Sequence, residues 1–186
     1  MKVLRKIFIE MIPVILGVLI ALFINNWKQT LDDQKFLKKI YSSVEREMEL
    51  NLNEFSTLLP IQYALIDSLN YWKSNKEVSL IEALQKTNGL QIPTVKNTAW
   101  NSFLNSKLEL IDFEVVSILT DVEEKKEVMN IKTEKLMDFV LNNTDSSDSR
   151  DKKILIIHLL NLINSEKGLV ETYEEYLGWR KKETSH

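Results

Sequence analysis

Apolar residues are most concentrated in IEMIPVILGVLIALFINNWK, residues 9–28. Met11 to Ile24 is a run of 14 uncharged residues, about 21 Å of helix at 1.5 Å per residue. Extending the run to Ile7 and Trp27 gives 21 residues, or about 31 Å, which matches a hydrocarbon core of about 30 Å. The extension takes in Glu10. That charge falls near one end, where insertion costs less than at the bilayer centre, and Lys6 stands one turn before it as a partner. The apolar positions surround the helix instead of forming one stripe, which argues against an amphipathic helix of a soluble protein. Trp27 and Lys28 suit an interfacial belt with a snorkelling cation. A cleaved signal would need small residues after the apolar core, whereas the chain reads LFINNWKQT there. The expectation is an uncleaved anchor. Before it, Val3, Leu4, Ile7, Phe8 and Met11 gather on one side, and Lys2, Arg5, Lys6 and Glu10 on the other. This predicts either a short interfacial helix turning at Pro13 or one continuous helix with a mild kink.

Downstream the apolar period becomes that of amphipathic helices. Leu37, Tyr41, Val44, Met48, Asn51, Phe55 and Leu58 alternate spacings of four and three, a heptad stripe. No Pro stands between Pro13 and Pro60, so helix is predicted without interruption over residues 14–59, with no hinge at the membrane surface. After Pro60, IQYALIDSLNYW and EVSLIEALQ read as two shorter helices broken near Ser74–Lys76. TNGLQIPTVKN reads as a loop punctuated by Gly89 and Pro93, and TAWNSFLNS as a turn or two of helix. Asp112 is placed to cap a long helix ending near Leu141. A polar linker, NNTDSSDSR, leads to a last helix from Lys152 to about Lys182, in which Leu155, Leu159, Leu162, Leu169, Tyr173 and Tyr176 share a stripe. The organisation predicted is a basic amphipathic leader at 1–10, a transmembrane helix at 11–27 and an extramembrane helical domain at 28–186. The fold class is all-α, with the single span continuing into an antiparallel helical bundle.

Composition sharpens this picture. Four Gly and three Pro in 186 residues favour long helices over a many-turned β protein. The absence of Cys excludes disulfide scaffolds, thiolate nucleophiles and Cys-based metal sites. Residues 1–28 carry Lys2, Arg5, Lys6 and Lys28 against Glu10, net +3 within a chain of −3, so the remainder carries −6. An acidic body disfavours nucleic acid as a partner. A basic, very short leader is expected to stay in the cytoplasm, which places the body in the periplasm of an inner-membrane protein.

Glu10, the core Gly17 to Leu22, and Ile24 to Trp27 together resemble the signature of a family of single-span membrane proteins of Bacteroidota (the DUF6090-like group), an acidic residue followed by a GxLIAL core and INNW. QKFLKKI and TAWNSFLNSKLELI are similar as well, so the resemblance spans most of the chain. It implies an α-helical, membrane-anchored protein and brings no established activity. One departure is NSKLELI, where the family pattern has a Gly near Lys107.

Little in the chain suggests chemistry. His158 stands alone in an apolar run and His186 is the last residue, too few for a metal site or a triad. Phosphate loops, HExxH and nucleophile elbows are missing from the sequence. Glu123, Glu124, Lys125, Lys126 and Glu127 read as a solvated face. Asp67-Ser68-Leu69 fits a short acceptor pattern for extracytoplasmic O-glycosylation, provided it is exposed. Trp72, Trp100 and Trp179 read as core or groove-lining residues. No catalytic, cofactor or metal role is assigned. The expectation is a non-enzymatic scaffold or accessory subunit bound to the lipid bilayer and to another envelope protein. Glu10, Pro13, Gly17, Ala21 and Trp27 would serve anchoring and helix packing, with Leu37, Tyr41, Val44, Met48 and Phe55 as a partner or core stripe. A ligand-sensing module with a pocket between its helices is the alternative, and a channel or motor span using Glu10 is a third. Gly17 and Ala21 form a small-xxx-small pair, so a homo-oligomer is open but not favoured.

Overall fold

The computed structural model describes residues 2–104 and 108–183, with side chains over 10–104 and 108–182. Lys107 and His186 fall outside the described residues, as does the side chain of Lys6. The chain is all-helical, with no strand among the described residues. Its elements are α1 (Lys2–Trp72), α2 (Leu80–Gln85), α3 (Thr98–Leu104), a 3-10 turn (Leu108–Leu110), α4 (Phe113–Asn142) and α5 (Ser149–Glu183). Two compact units are present, Met1–Ser42 and Ser43–His186.

α1 is a single helix of 71 residues. It runs through Pro13, as the continuous alternative for the leader expects, and covers the predicted window 14–59 without a break. It also runs through Pro60, which corrects the expectation of a new helix there. A mid-helix proline removes one hydrogen bond and crowds the carbonyl four residues earlier. Here Ser56 and Pro60 are both exposed, so water can take the freed carbonyl. On the opposite face Phe55, Leu65, Ile66 and Leu69 are buried on both sides of the proline, and their packing holds the axis together.

The helix stops at Trp72, two residues before the break expected at Ser74. The Lys152 side chain, fully buried, donates from Nζ to Trp72 O at 3.1 Å and to Asn75 O at 2.6 Å. Carbonyls at a helix C-terminus have no partner within the helix and carry partial negative charge, so a cation is a natural stop. α2 starts on a capping box. Ser79 Oγ accepts from Glu82 N at 3.4 Å, while the Glu82 carboxylate accepts from Ser79 N at 2.8 Å. That bond, ahead of the Ser79 hydroxyl, holds the exposed Glu82 carboxyl below its usual range. The linker after α4 completes this start, since Leu80 N donates to Ser146 O at 2.9 Å and Ile81 N to Thr144 O at 3.0 Å. Gly89, with φ at +73°, turns the chain into the loop predicted over 87–97. Asp112 occupies the cap position of α4, but its side chain makes no capping bond. Its backbone carbonyl receives Val116 N at 3.1 Å instead, and the exposed first turn is open to water.

The core of the second unit contains the predicted α5 stripe, with Leu155, Leu159, Leu162, Leu169, Tyr173 and Tyr176 all buried. Val115, Leu119, Val122, Met129, Leu136 and Val140 of α4 join it, together with Trp100 and Phe103 of α3. Each large apolar side chain fully removed from water stabilises the fold by about 1.5–3 kcal/mol.

Candidate functional site

Two features stand apart from ordinary core packing. The first is the start of α1, the one helix among the described residues that is long and apolar enough to cross a membrane. Its apolar window is wholly uncovered. Val14 is 66%, Phe23 71% and Trp27 61% exposed, and the exposed Met11, Ile12, Val14, Leu16, Ile20 and Ile24 put apolar surface on every side of the helix. Exposed apolar surface costs about 25 cal/mol per Å² in water, and so large a continuous patch marks an interaction with lipid or another chain. Glu10, Pro13 and Ala21 are exposed as well. A side-chain carbon added at Gly17 would meet nothing within 4 Å, so the small face of Gly17 and Ala21 is open.

The second feature lies in the other unit, where α1 carries a polar edge that holds the loop before α3. Both carboxylate oxygens of Glu47 accept from Ala99 N, at 3.0 and 3.1 Å. Asn51 pairs with the backbone of Lys96 in both directions, donating to its carbonyl at 2.8 Å and accepting from its N–H at 2.9 Å. Glu54 accepts from Thr94 N at 2.8 Å, and Gln62 donates to Gln91 O at 3.2 Å. Residues 47, 51, 54 and 62 lie close to one helical face, so a single edge of α1 clamps the extended segment. From α4, Glu123 adds a bond from Asn97 Nδ2 at 2.6 Å. The Glu123–Glu127 cluster is therefore a solvated face only in part.

The predicted stripe on α1 splits. Val44, Met48 and Phe55 are buried, whereas Leu37 and Tyr41 are half-buried. Asn51, expected either to set register or to sit at a wet edge, is buried, and its amide also donates to the Tyr173 hydroxyl at 3.2 Å. Tyr173 stacks on Phe55 with ring centres 6.4 Å apart. Burial is the main cause that pushes its phenol up to about 12.

The tryptophans do not converge. Trp100 is buried against Phe103, Trp72 lies under the Lys86 ammonium, and Trp179 sits beside Tyr176. A cavity of about 20 Å³ between Val44, Met48, Trp100, Leu119, Val122 and Tyr173 is the size of one water. His158 packs at 5.3 Å from the Phe139 ring, and no group of residues able to hold a metal occurs among the described residues. Ser68 is half-buried inside α1 and Leu69 is fully buried, an unfavourable setting for an O-glycosylation acceptor.

Sequence reasoning missed Gln62, Lys152 and Glu166, all buried polar residues. Their signal was present, because Gln62 continues the α1 stripe, and Lys152 and Glu166 occupy stripe positions on α5. No family model, curated protein or solved structure matches the chain.

Proposed function

We propose that the chain is a non-enzymatic, single-pass subunit of the inner membrane, whose helical body binds another envelope protein. The observation carrying this reading is the uncovered apolar stretch of α1, wholly unburied, in a helix whose later turns contribute Val44, Met48 and Phe55 to a buried core. Lipid is the natural solvent for the first part, because a helix satisfies its own backbone groups there. The basic leader supports a cytoplasmic N-terminus and a periplasmic body. The residue pairs Glu45–Arg180, Asn51–Tyr173 and Gln62–Glu166 advance along α1 as they recede along α5, which supports an antiparallel bundle. Membership of the single-span family that the sequence resembles is part of this proposal.

The cavity of about 20 Å³ beside Trp100 is too small for a ligand, because ligand sites occupy about 300 Å³ or more. The ligand-sensing alternative rests instead on the open groove of about 410 Å³ lined by Thr172, Tyr176 and Trp179. The test is affinity capture of the full chain from detergent-solubilised native membranes. A second membrane or periplasmic protein at fixed stoichiometry is expected, and recovery of the chain alone would overturn the accessory-subunit reading.

A further inference from the structure

Glu166 on α5 is fully buried, and so is Gln62 on α1, facing it. Gln62 Nε2 donates to Glu166 Oε1 at 2.8 Å and also reaches Gln91 O at 3.2 Å. Both partners of that nitrogen are acceptors, which fixes the amide orientation, since swapping its ends would set oxygen against oxygen. The two remaining atoms of the pair, Gln62 Oε1 and Glu166 Oε2, are buried without a hydrogen-bond partner. An ionised carboxylate only accepts, so the two orphaned oxygens of this buried pair would leave two desolvation penalties uncompensated. One proton resolves both. A protonated carboxyl is a donor and an acceptor, and a primary amide has the complementary pair.

We propose that Glu166 carries its proton in the folded body and donates it from Oε2 to Gln62 Oε1, closing a two-bond acid–amide clasp between α5 and α1. Through the second bond of Gln62 Nε2, the clasp also fastens the 86–97 segment at Gln91. Removing the proton replaces a mutual pair with a buried anion facing an amide oxygen, so the clasp loosens as pH rises.

The surroundings are consistent with this state. Burial pushes the Glu166 carboxyl up, against a smaller opposing effect of the Gln62 bond. Among the described residues no cation is bonded to Glu166. Lys132 of α4 is engaged at Asn161 O and Ser165 Oγ, and Lys167 of α5 lies 5.3 Å from the centre of the Tyr63 ring on α1. The 86–97 segment meets the pair through the uncharged Gln91 carbonyl. A raised folded value means that stability is complete below the unfolded carboxyl value and declines as pH rises through the folded one.

The test is a pH titration of the full chain in detergent micelles, with glutamate labelled by carbon-13 at the side-chain carboxyl. One glutamate signal is expected to stay at the protonated position at neutral pH, to vanish in Glu166→Gln and to persist in Glu10→Gln. Glu166→Gln preserves both bonds, because an amide pair closes the same ring, so it should fold and lose this part of the pH dependence of stability. If every glutamate is ionised at neutral pH in the wild-type chain, the clasp is refuted whether or not the variant folds. Loss of the late signal in Glu10→Gln would equally overturn it, because the proton would then sit on the span.

Discussion

The ammonium of Lys152 stands 3.1 Å from the carbonyl oxygen of Trp72, the last residue of α1. It lies 2.6 Å from Asn75 O as well, so one buried cation on the first turns of α5 closes the end of a 71-residue helix. Burial pushes its pKa down, and the two carbonyls compensate for the lost hydration.

Lys152→Met keeps most of the volume and removes both bonds. The part-buried Asn75 carbonyl would then lose its partner, while Trp72 O would keep only the Asn75 N–H at 3.1 Å, and the expected loss is about 1–3 kcal/mol. In urea unfolding of the full chain in detergent, the midpoint should fall with little change in slope. An unchanged midpoint would show that water satisfies these carbonyls.

Asn51 fastens the loop more directly. Asn51→Leu is roughly isosteric but strands both the N–H and the carbonyl of Lys96, for an expected cost of about 2–4 kcal/mol. Amide hydrogen exchange at Lys96 should accelerate well beyond the change seen in the α4 core. Uniform acceleration throughout the body would mean that the loop is not independently held.

Tyr173 gives a pH signature. Its folded value is raised to about 12 from 10.0, so the folded state retains a proton that the unfolded state releases. Stability is therefore complete below about pH 10 and is lost as pH rises toward 12. Phenolate absorbance should show a late-ionising step that Tyr173→Phe removes, and that variant should have a flatter stability profile in this window.

Much of this organisation was legible in the sequence, because burial leaves a period. The α5 stripe from Leu155 to Tyr176 coincides with the buried face, and α4 begins and ends within a residue or so of its sequence limits. What escaped was polar. Reading the stripes as apolar sets skipped Gln62, Lys152 and Glu166, although the heptad spacing passes through all three. Pro60 misled because local propensity cannot register that flanking side chains on the far face are all buried. The capping box at Ser79 and Glu82 was readable from S-x-x-E and was passed over inside a short helix. The grip of Glu47 and Glu54 on backbone N–H groups 40 to 52 residues away has no local signal.

Sidedness is open to chemistry because the chain has no cysteine. Asp145 is exposed in the turn before α5. Asp145→Cys should react fully with a membrane-impermeant maleimide in intact spheroplasts. Protection until the membrane is permeabilised would reverse the proposed orientation.

The most direct measurement of the central claim is photo-cross-linking in living cells from a photoreactive residue at Gly17, where a side chain meets open space. The account predicts adducts to lipid and to one different membrane protein, in a chain that stays with the membranes under alkaline extraction. Adducts to a second copy alone, or a chain released into the soluble fraction, would contradict it.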